Sequence, residues 1–326
     1  MIFVTGGGGY IGSVVVRLLI ENGYQVIVYD NLSRGHLSAI DKRAIFIKGD
    51  LADKDLLSKV FKKYPIEAVL HFAAYIEVGE SVKYPTLFFD NNVKNCINLL
   101  NCMCENGCYK IIFSSSAAVY GEPIEIPIKE NHPLLPINPY GETKRLIEEL
   151  LFSYEKYCGL KFISLRYFNV AGAYENLGED HRPETHLIPL IVKAALGKEK
   201  IFKIYGDDYP TRDGTCIRDY IHVYDLAIAH ILALKKLLKE DKSEVYNLGS
   251  ENGYSVKEVF ETACEVIGKE IPYEIVDRRP GDVPILIASS EKIKKELGWK
   301  REKDDLKVII KDTFEWHKRF PSGYPD

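Results

Sequence analysis

The sequence has no long apolar run and no excess of charge of one sign. Its longest apolar stretches are interrupted by Arg17 in VVVRLLI and by His71 in AVLHFAAYI, so none reaches the roughly 20 residues that span a bilayer. Met1 leads directly into the apolar run IFV without the basic residues of an export signal. The chain has 43 Lys and Arg against 47 Asp and Glu, a net charge of −4, which argues against a general nucleic-acid binder. We therefore expect a cytoplasmic protein without a membrane or nucleic-acid partner.

Paired cysteines are also missing. The seven cysteines are odd in number, and four of them crowd into one segment, as Cys96, Cys102, Cys104 and Cys108. Their spacing is not CxxC and no second paired set lies elsewhere, so the pattern favours reduced thiols of a cytosolic protein over a metal cluster.

The eight histidines provide no HExxH motif. His181 and His186 are separated by four residues, and we identified no carboxylate pair at metal spacing beside them. His71 and His222 are expected to be structural. The sequence therefore predicts no metal.

The first half of the chain alternates apolar strands with amphipathic helices. At roughly 150 residues per domain, the 326 residues fit two domains. The expected strands are Ile2–Thr5, Gln25–Tyr29, Ala44–Lys48, Ala68–Phe72, Lys110–Ser114 and Lys161–Arg166. The expected helices are Gly12–Asn22, Lys54–Tyr64, Thr86–Asn106 and Pro139–Tyr157. This order predicts an α/β fold with a doubly wound parallel sheet of the Rossmann type.

The alternation weakens after Arg166, where Gly, Pro, Asn, Asp and His become dense. We predict a dinucleotide-binding domain over residues 1–170, rejoined by about 216–240 through a helix at Tyr224–Lys239. Residues 171–215 and 241–326 are predicted to form a smaller α/β lobe that binds the substrate. The expected elements of that lobe are the strands Val245–Leu248 and Tyr273–Val276 and the helices Val256–Ile267 and Ser290–Leu297.

A glycine-rich turn connects the first strand to the first helix. Gly6, Gly9 and Gly12 are spaced three residues apart, a spacing that permits a tight turn and close approach of a pyrophosphate to the helix N-terminus. Asp30 ends the second strand, where a carboxylate accepts hydrogen bonds from a ribose 2′-hydroxyl and repels a 2′-phosphate. The cofactor is therefore predicted to be NAD rather than NADP. Asp50, after the third strand, is placed to contact the adenine or to cap the next helix.

A second constellation consists of Ser116, Tyr140 and Lys144. Tyr140 and Lys144 are four residues apart and share one helix face. A nearby ammonium favours the phenolate, so such a tyrosine can act as a general base. Ser116 follows the strand KIIFS at the sheet edge where ligands bind in doubly wound folds, and its hydroxyl could bond to a substrate oxygen.

These motifs together resemble the extended short-chain dehydrogenase/reductase family. The matching segments are TGGGGYIG, SSSAAVYG and Tyr140-x-x-x-Lys144, and HFAAYIEVGESV, RYFNVAGA, YGDDYPTRDGTCIRDYIHV and RRPGD are similar to its UDP-hexose 4-epimerases. The resemblance covers residues 1–326. It implies reversible inversion at C4 of UDP-glucose and UDP-galactose through a 4-keto sugar, with NAD held tightly. Tyr140 would be the base, Lys144 would bind the nicotinamide ribose and Ser116 would hold the C4 oxygen.

The resemblance also implies further contacts, residue by residue. Those to NAD are Gly6, Gly9, Tyr10, Ile11, Gly12, Asp30, Asn31, Asp50, Leu51, Phe72, Ala73, Ala74, Asn92, Ser114, Tyr140, Lys144 and Tyr167. Those to the UDP-sugar are Ser116, Tyr140, Phe168, Asn169, His186, Leu187, Arg218, Arg279, Asp282 and Leu286. The two arginines would grip the diphosphate, Asp282 would accept from the uridine ribose, and His186 would face the uracil.

The chain departs from the family at two positions. Ile76 stands where some members have a lysine that reaches the nicotinamide ribose, and Leu286 stands where some have a bulky tyrosine. The smaller side chain at 286 suggests added activity on UDP-N-acetylhexosamines. The family usually forms homodimers through helices of the nucleotide domain, here Thr86–Asn106 and Tyr140–Tyr157.

Two alternative functions are considered. A 4,6-dehydratase or decarboxylase of the same family shares the Ser/Thr, Tyr and Lys, but a dehydratase usually has an Asp-Glu pair where this chain has Ala117-Ala118. A non-catalytic NAD-binding regulator would commonly lack the tyrosine or the lysine, and both are present.

Overall fold

The computed structural model describes residues 1–279 and 281–325, so Pro280 of the RRPGD segment and Asp326 lie outside the described residues. The strands are β1 Ile2–Thr5, β2 Val26–Asp30, β3 Ile45–Lys48, β4 Ala68–His71, β5 Lys110–Ser116, β6 Lys161–Tyr167, β7 Asn169–Ala171, β8 Phe202–Tyr205, β9 Ile217–His222, β10 Glu244–Leu248, β11 Gly253–Ser255, β12 Tyr273–Val276 and β13 Ile285–Leu286. The α-helices are α1 Tyr10–Glu21, α2 Lys54–Lys63, α3 Val78–Lys83, α4 Pro85–Phe88, α5 Asn95–Glu105, α6 Pro139–Cys158, α7 Leu187–Ala195, α8 Val223–Glu240, α9 Val256–Ile267, α10 Glu291–Leu297 and α11 Leu306–Arg319.

Seven parallel strands form the main sheet, in the order β10-β6-β5-β4-β1-β2-β3. The strand order reverses between β1 and β4, where a doubly wound sheet opens a crevice outside the carboxyl ends of its strands. This topology confirms the predicted Rossmann fold. It places the residues after β1, β4 and β5 around one crevice.

The two faces of the sheet have separate cores. Ile2 and Val4 of β1 pack with α1 and α8, whereas Phe3 packs with residues of α2, α5 and α6. Successive side chains of a strand point to opposite faces, so the apolar run of β1 is buried on both sides. This double burial explains why the strand reads as continuously apolar rather than alternating.

The strand at Val245–Leu248 belongs to a different sheet from the one predicted. It was expected in the smaller lobe, but it forms the end of β10, at the edge of the main sheet, where Tyr246 pairs in register with Leu165 of β6. A short apolar strand carries no information about its partner, and α8 provides the crossover that returns the chain to the main sheet. The other boundaries of the two domains stay a prediction.

The long helix predicted over Thr86–Asn106 is interrupted. A π-helical turn at Phe89–Lys94 separates α4 from α5. Such turns are frequent at functional sites because they redirect side chains out of the regular helical register. Here the turn carries Asn92, which is buried.

The strands outside the main sheet form two small sheets, which we call the smaller lobe. One of them contains β9, although residues 216–240 are predicted to rejoin the dinucleotide-binding domain. β9 lies between β11 and β13 and also pairs with β7, and β8 pairs with β12. A separate core joins α7, α9 and α11. The helix α9 begins with a reciprocal capping box, in which Ser255 and Glu258 satisfy each other's backbone N–H groups. Within the described ranges, no helix is both long and apolar enough to cross a membrane.

Candidate active site

A cleft of about 1010 Å³ lies between the main sheet and the smaller lobe. Its wall contains every site residue predicted from the sequence except Asn92. The same wall contains the glycine turn and the charged residues Arg218, Arg279 and Asp282. The fold thus brings both predicted ligand sites into one continuous space.

The glycine turn is packed so tightly against neighbouring backbone that it has no room for side chains at Gly6 and Gly12. Gly6 has a φ of +71°, and a Cβ at Gly6 would lie 2.6 Å from the backbone nitrogen of Ala73. A Cβ at Gly12 would lie 2.2 Å from the carbonyl oxygen of Gly6. Helix α1 begins after Gly9, which provides no side-chain cap. The N-terminal N–H groups of α1 therefore face the cleft without a competing side-chain oxygen, an arrangement that fits a bound pyrophosphate.

Asp30 anchors the loop around the turn. Its Oδ2 accepts a hydrogen bond from the N–H of Gly8 at 2.9 Å, and its Oδ1 accepts one from Leu32 at 2.8 Å. Burial raises the pKa of Asp30, and these two backbone hydrogen bonds oppose the rise. Nearby, the amide of Asn31 donates to Oδ2 of Asp50 at 2.7 Å. Each Asp30 oxygen keeps a second lone pair with which it could accept from a ribose hydroxyl.

Tyr140 and Lys144 lie in the first turns of α6, opposite the end of β5. The Nζ of Lys144 lies 5.7 Å from the centre of the Tyr140 ring and donates to the carbonyl oxygen of Ser114 at 2.7 Å. The hydroxyl of Ser116 is close enough to that of Tyr140 to lower the pKa of the tyrosine. The three predicted catalytic side chains are thus adjacent in the cleft wall.

The titration behaviour of this group reflects its burial. Burial raises the pKa of Tyr140 to about 12; the neighbouring Ser116 hydroxyl opposes this rise, and the charge of Glu77 adds to it. Burial lowers the pKa of Lys144 to about 8, against the opposing effects of Cys96 and Glu148. In this state Tyr140 is a phenol at neutral pH, so formation of a phenolate requires added positive charge beside it.

Asn92 lies behind the cleft wall rather than in it. Its Oδ1 accepts from the N–H of Tyr75 at 2.8 Å, and its Nδ2 donates to the carbonyl of Tyr75 at 3.0 Å and to Oγ1 of Thr143 at 3.2 Å. Thr143 in turn donates to the carbonyl oxygen of Tyr140 at 2.7 Å. The structure therefore makes Asn92 a positioning residue for Tyr75 and for the start of α6, a role that the π-turn creates.

Tyr167 and Phe72 reach the cleft beside a buried histidine. Nδ1 of His230 lies 2.8 Å from the carbonyl of Leu226, an acceptor, so Nδ1 carries the proton. Nε2 therefore accepts a hydrogen bond from the hydroxyl of Tyr167. The ring of Phe72 packs on the same histidine at 5.1 Å between centroids. The hydroxyl of Tyr167 thus has a partner inside the protein.

The far end of the cleft carries two guanidinium groups. Asp282 lies between them, with Oδ1 3.6 Å from Nη2 of Arg218 and Oδ2 3.4 Å from Nε of Arg279. The guanidinium of Arg279 also lies 4.5 Å from the ring centre of Tyr205. Leu286 pairs in register with Arg218 across β13 and β9. Planar guanidinium groups are suited to phosphate oxygens.

Sequence reasoning missed two features of the cleft wall. Glu77 is a buried residue of the cleft wall, 3.6 Å from a guanidinium nitrogen of Arg34, and it was not singled out although it lies within the quoted segment HFAAYIEVGESV. The segment at 179–186 brings together Glu179, His181, Glu184 and His186, whose ligand atoms lie within 4.8 Å of one another. The expectation that these histidines have no neighbouring carboxylate pair is wrong. The Glu-x-His-x-x-Glu-x-His spacing was the available signal.

Comparisons with known proteins agree with this geometry. Residues 2–249 match the NAD dependent epimerase/dehydratase family. The chain is 50% identical over 327 residues to a UDP-glucose 4-epimerase from Lacticaseibacillus casei, a match that covers 100% of this chain and 99% of that protein.

Two solved structures show the same likeness. One crystal structure of a UDP-glucose 4-epimerase superposes with a TM-score of 0.97 at 49% identity and covers 100% of this chain and 99% of that one. The UDP-glucose 4-epimerase from Bifidobacterium longum, solved in complex with NAD+ and UDP, has a TM-score of 0.94 at 39% identity over 99% of each chain.

Proposed function

The chain belongs to the NAD dependent epimerase/dehydratase family, and we propose that it interconverts UDP-glucose and UDP-galactose by inversion at C4 of the hexose. The observation that carries this proposal is the placement of Ser116, Tyr140 and Lys144 in one cleft wall together with the glycine turn and the paired guanidinium groups. A dinucleotide on the turn and a diphosphate on the guanidinium groups would therefore share one cleft with these side chains.

NAD is the cofactor, and when bound it supplies reversible hydride chemistry at C4 of the sugar. The residues that would hold it are Gly6, Gly9 and Gly12 of the turn, with Asp30 toward the adenosine ribose and Lys144 toward the nicotinamide ribose. The fit rests on the tight glycine turn, where the neighbouring backbone leaves no room for side chains at Gly6 and Gly12, and on the uncapped start of α1.

The chain's own residues move one proton. Tyr140 Oη takes the proton from the 4-hydroxyl of the sugar and returns it after inversion, and Ser116 Oγ holds the C4 oxygen throughout. Since burial raises the pKa of Tyr140 to about 12, the phenolate needs the ammonium of Lys144 and the positive charge of the oxidised cofactor beside it. The tyrosine then becomes a base only in the loaded site.

Substrate binding rests on the smaller lobe. Arg218 and Arg279 grip the diphosphate, and Asp282 accepts from the uridine ribose. Phe168, Asn169, His186 and Leu187 line the space between them and the catalytic wall. Two positioned guanidinium groups suffice for a dianionic ligand, which is consistent with a chain whose overall charge is only −4.

The wall residues disfavour the alternative functions. Ala117 and Ala118 form a short 3-10 turn directly after Ser116, at the position where a dehydratase places its acid and base. Elimination would have no proton donor there. A non-catalytic regulator would not need Tyr140, Lys144 and Ser116 side by side in the cleft wall.

Three further features extend the proposal. Leu286 is smaller than the tyrosine that some family members have at this position, so we propose that UDP-N-acetylhexosamines would also be substrates. Exposed apolar side chains on α4 and α6, namely Leu87, Phe152 and Tyr157, would form the interface of a homodimer. The protein would act in the cytoplasm.

The substitution Tyr140→Phe tests the catalytic role. It removes only the hydroxyl, so the variant should still bind NAD but lose at least about 1,000-fold in the conversion of UDP-galactose to UDP-glucose, since it lacks its general base. The measurement is a coupled assay for UDP-glucose, with NAD content read from the absorbance of nucleotide released on denaturation. Tyr273→Phe, at an exposed position of β12 outside the cleft wall, is the matched control. Retained turnover in the Tyr140 variant would disprove the assignment of the base.

A further inference from the structure

We propose that Glu179, His181, Glu184 and His186 form a binding site for a divalent cation of the zinc class. The site adjoins the substrate cleft, because Glu179, His181 and His186 also belong to the cleft wall. The zinc-binding proposal nevertheless does not rest on the proposed function. Its four side chains come from one eight-residue segment that ends where α7 begins, since His186 is the N-cap of that helix.

The four ligand atoms converge on one point. Oε1 of Glu179 lies 3.0 Å from Nδ1 of His181 and 2.9 Å from Nδ1 of His186. Oε1 of Glu184 lies 3.0 Å from the same nitrogen of His186. Four ligands at about 2.0 Å from a tetrahedral zinc ion are separated by about 3.3 Å, so small rotations of these side chains would complete the coordination.

Several polar atoms of the cluster have no hydrogen-bond partner among the described residues. They are Oε2 of Glu179, Oε2 of Glu184 and Nδ1 of His181. Nδ1 of His181 is close to Glu179 but does not meet it at a hydrogen-bonding angle. The Glu179 residue and the Glu184 side chain are each only 3% exposed. Buried carboxylate oxygens without a partner are costly, and a bound cation would satisfy them.

The donor set selects the type of ion. Two imidazole nitrogens and two carboxylates suit zinc and its neighbours in the transition series, whereas magnesium and calcium require six or more oxygens. Four protein ligands leave no position open for a substrate, which is the pattern of a structural site. The ion would fix this segment against the glycine turn, because the His181 ring lies edge-on to Tyr10 with 6.4 Å between centroids.

A competing explanation needs only protons. Two imidazolium groups could share the carboxylate of Glu179, in which case the cluster is a pair of ion pairs. The ion and the protons occupy the same atoms, so the two explanations predict opposite outcomes when metal is added to the protein.

The experiment uses the full-length chain with any affinity tag removed, after dialysis against a chelator. Zinc content and affinity are measured by mass spectrometry and by competition with a chromophoric chelator, and Co²⁺ is used as a spectroscopic probe. We expect one zinc per chain and a visible Co²⁺ spectrum of tetrahedral type without thiolate charge-transfer bands. The seven free cysteines make this last distinction necessary.

The substitution His181→Gln should weaken zinc binding by more than about 100-fold, since it removes a direct ligand. His132→Gln, in a surface loop away from the cluster, should leave affinity unchanged. Zinc should raise the melting temperature of the unsubstituted protein by mass action and should not raise that of the His181 variant. The proposal is overturned by the absence of stoichiometric zinc, by thiolate bands in the Co²⁺ spectrum, or by equal affinity in the His181 variant. The Co²⁺ spectrum of the unsubstituted chain decides the question even if a variant fails to fold.

Discussion

The carboxylate of Glu148 accepts three hydrogen bonds from the guanidinium of Arg166, at 3.0 Å from Nε to Oε1, at 3.3 Å from Nε to Oε2 and at 2.6 Å from Nη2 to Oε2. Both side chains are buried. Glu148 is one helical turn beyond Lys144 and two beyond Tyr140 on α6, whereas Arg166 belongs to β6. The pair therefore attaches the helix that carries the proposed base to the central sheet.

Removal of one partner should be costly. We expect Glu148→Gln to lower the free energy of unfolding by about 3–5 kcal/mol, because it leaves the charge of Arg166 buried without its counterion. The neighbouring Glu149→Gln breaks an exposed pair with Arg145 and should cost less than about 1 kcal/mol. Urea unfolding of the two variants measures the difference. Equal losses would show that the buried pair contributes no more than a surface one.

His230 should make stability depend on pH. Burial lowers its pKa from 6.5 to about 4. Between these two pH values the imidazole is protonated in the unfolded chain but not in the folded chain. The contribution of neutral His230 to the free energy of unfolding is therefore complete above pH 6.5 and is lost as the pH falls through about 4. Against the variant His230→Gln, the unsubstituted protein should lose up to about 3 kcal/mol more between pH 6.5 and 4. Parallel curves of unfolding free energy against pH for the two proteins would contradict this.

The glycine turn should reject even a methyl group. A Cβ at Gly12 would lie 2.2 Å from the carbonyl oxygen of Gly6, and backbone atoms have no free space to yield. We expect Gly12→Ala to destabilise the protein by about 1–3 kcal/mol and to lose bound NAD during purification. Gly79→Ala in α3 is the control, since no atom lies within 4 Å of its added Cβ; it should stabilise by about 0.5–1 kcal/mol. Thermal unfolding and nucleotide content distinguish the two.

Substrate breadth should depend on the residue at 286. Leu286→Tyr would fill the space proposed for a 2-acetamido group, so turnover of UDP-GalNAc should fall at least about 10-fold relative to turnover of UDP-galactose. Leu286→Met, of similar volume, should keep the ratio of the unsubstituted protein. Parallel coupled assays with both sugars provide the measurement. If the unsubstituted protein turns over UDP-galactose but not UDP-GalNAc, the proposed breadth is wrong.

The local sequence pattern was sufficient to predict the strands of the main sheet and the glycine-rich turn. The strands from Ile2–Thr5 to Lys161–Arg166 could be predicted from runs of apolar residues between helical periods, because burial on both faces of a parallel sheet leaves a continuous signal. The spacing of Gly6, Gly9 and Gly12 depends only on neighbouring backbone, which is also local. Chain order then brings the strand ends to one crevice.

Contacts between distant segments could not be predicted in this way. The edge position of β10, the placement of Asn92 behind the wall and the convergence of Glu179 and Glu184 on two histidines all depend on the path of the chain in space. The periodicity of apolar residues in the sequence contains no information about that path. The sequence by itself determined the doubly wound fold, the NAD turn and the residues available for catalysis. Only the tertiary structure decided which of these residues line the same cleft and how far the pKa values of Tyr140 and Lys144 are shifted. The reason is that desolvation and proximity depend on packing between distant segments.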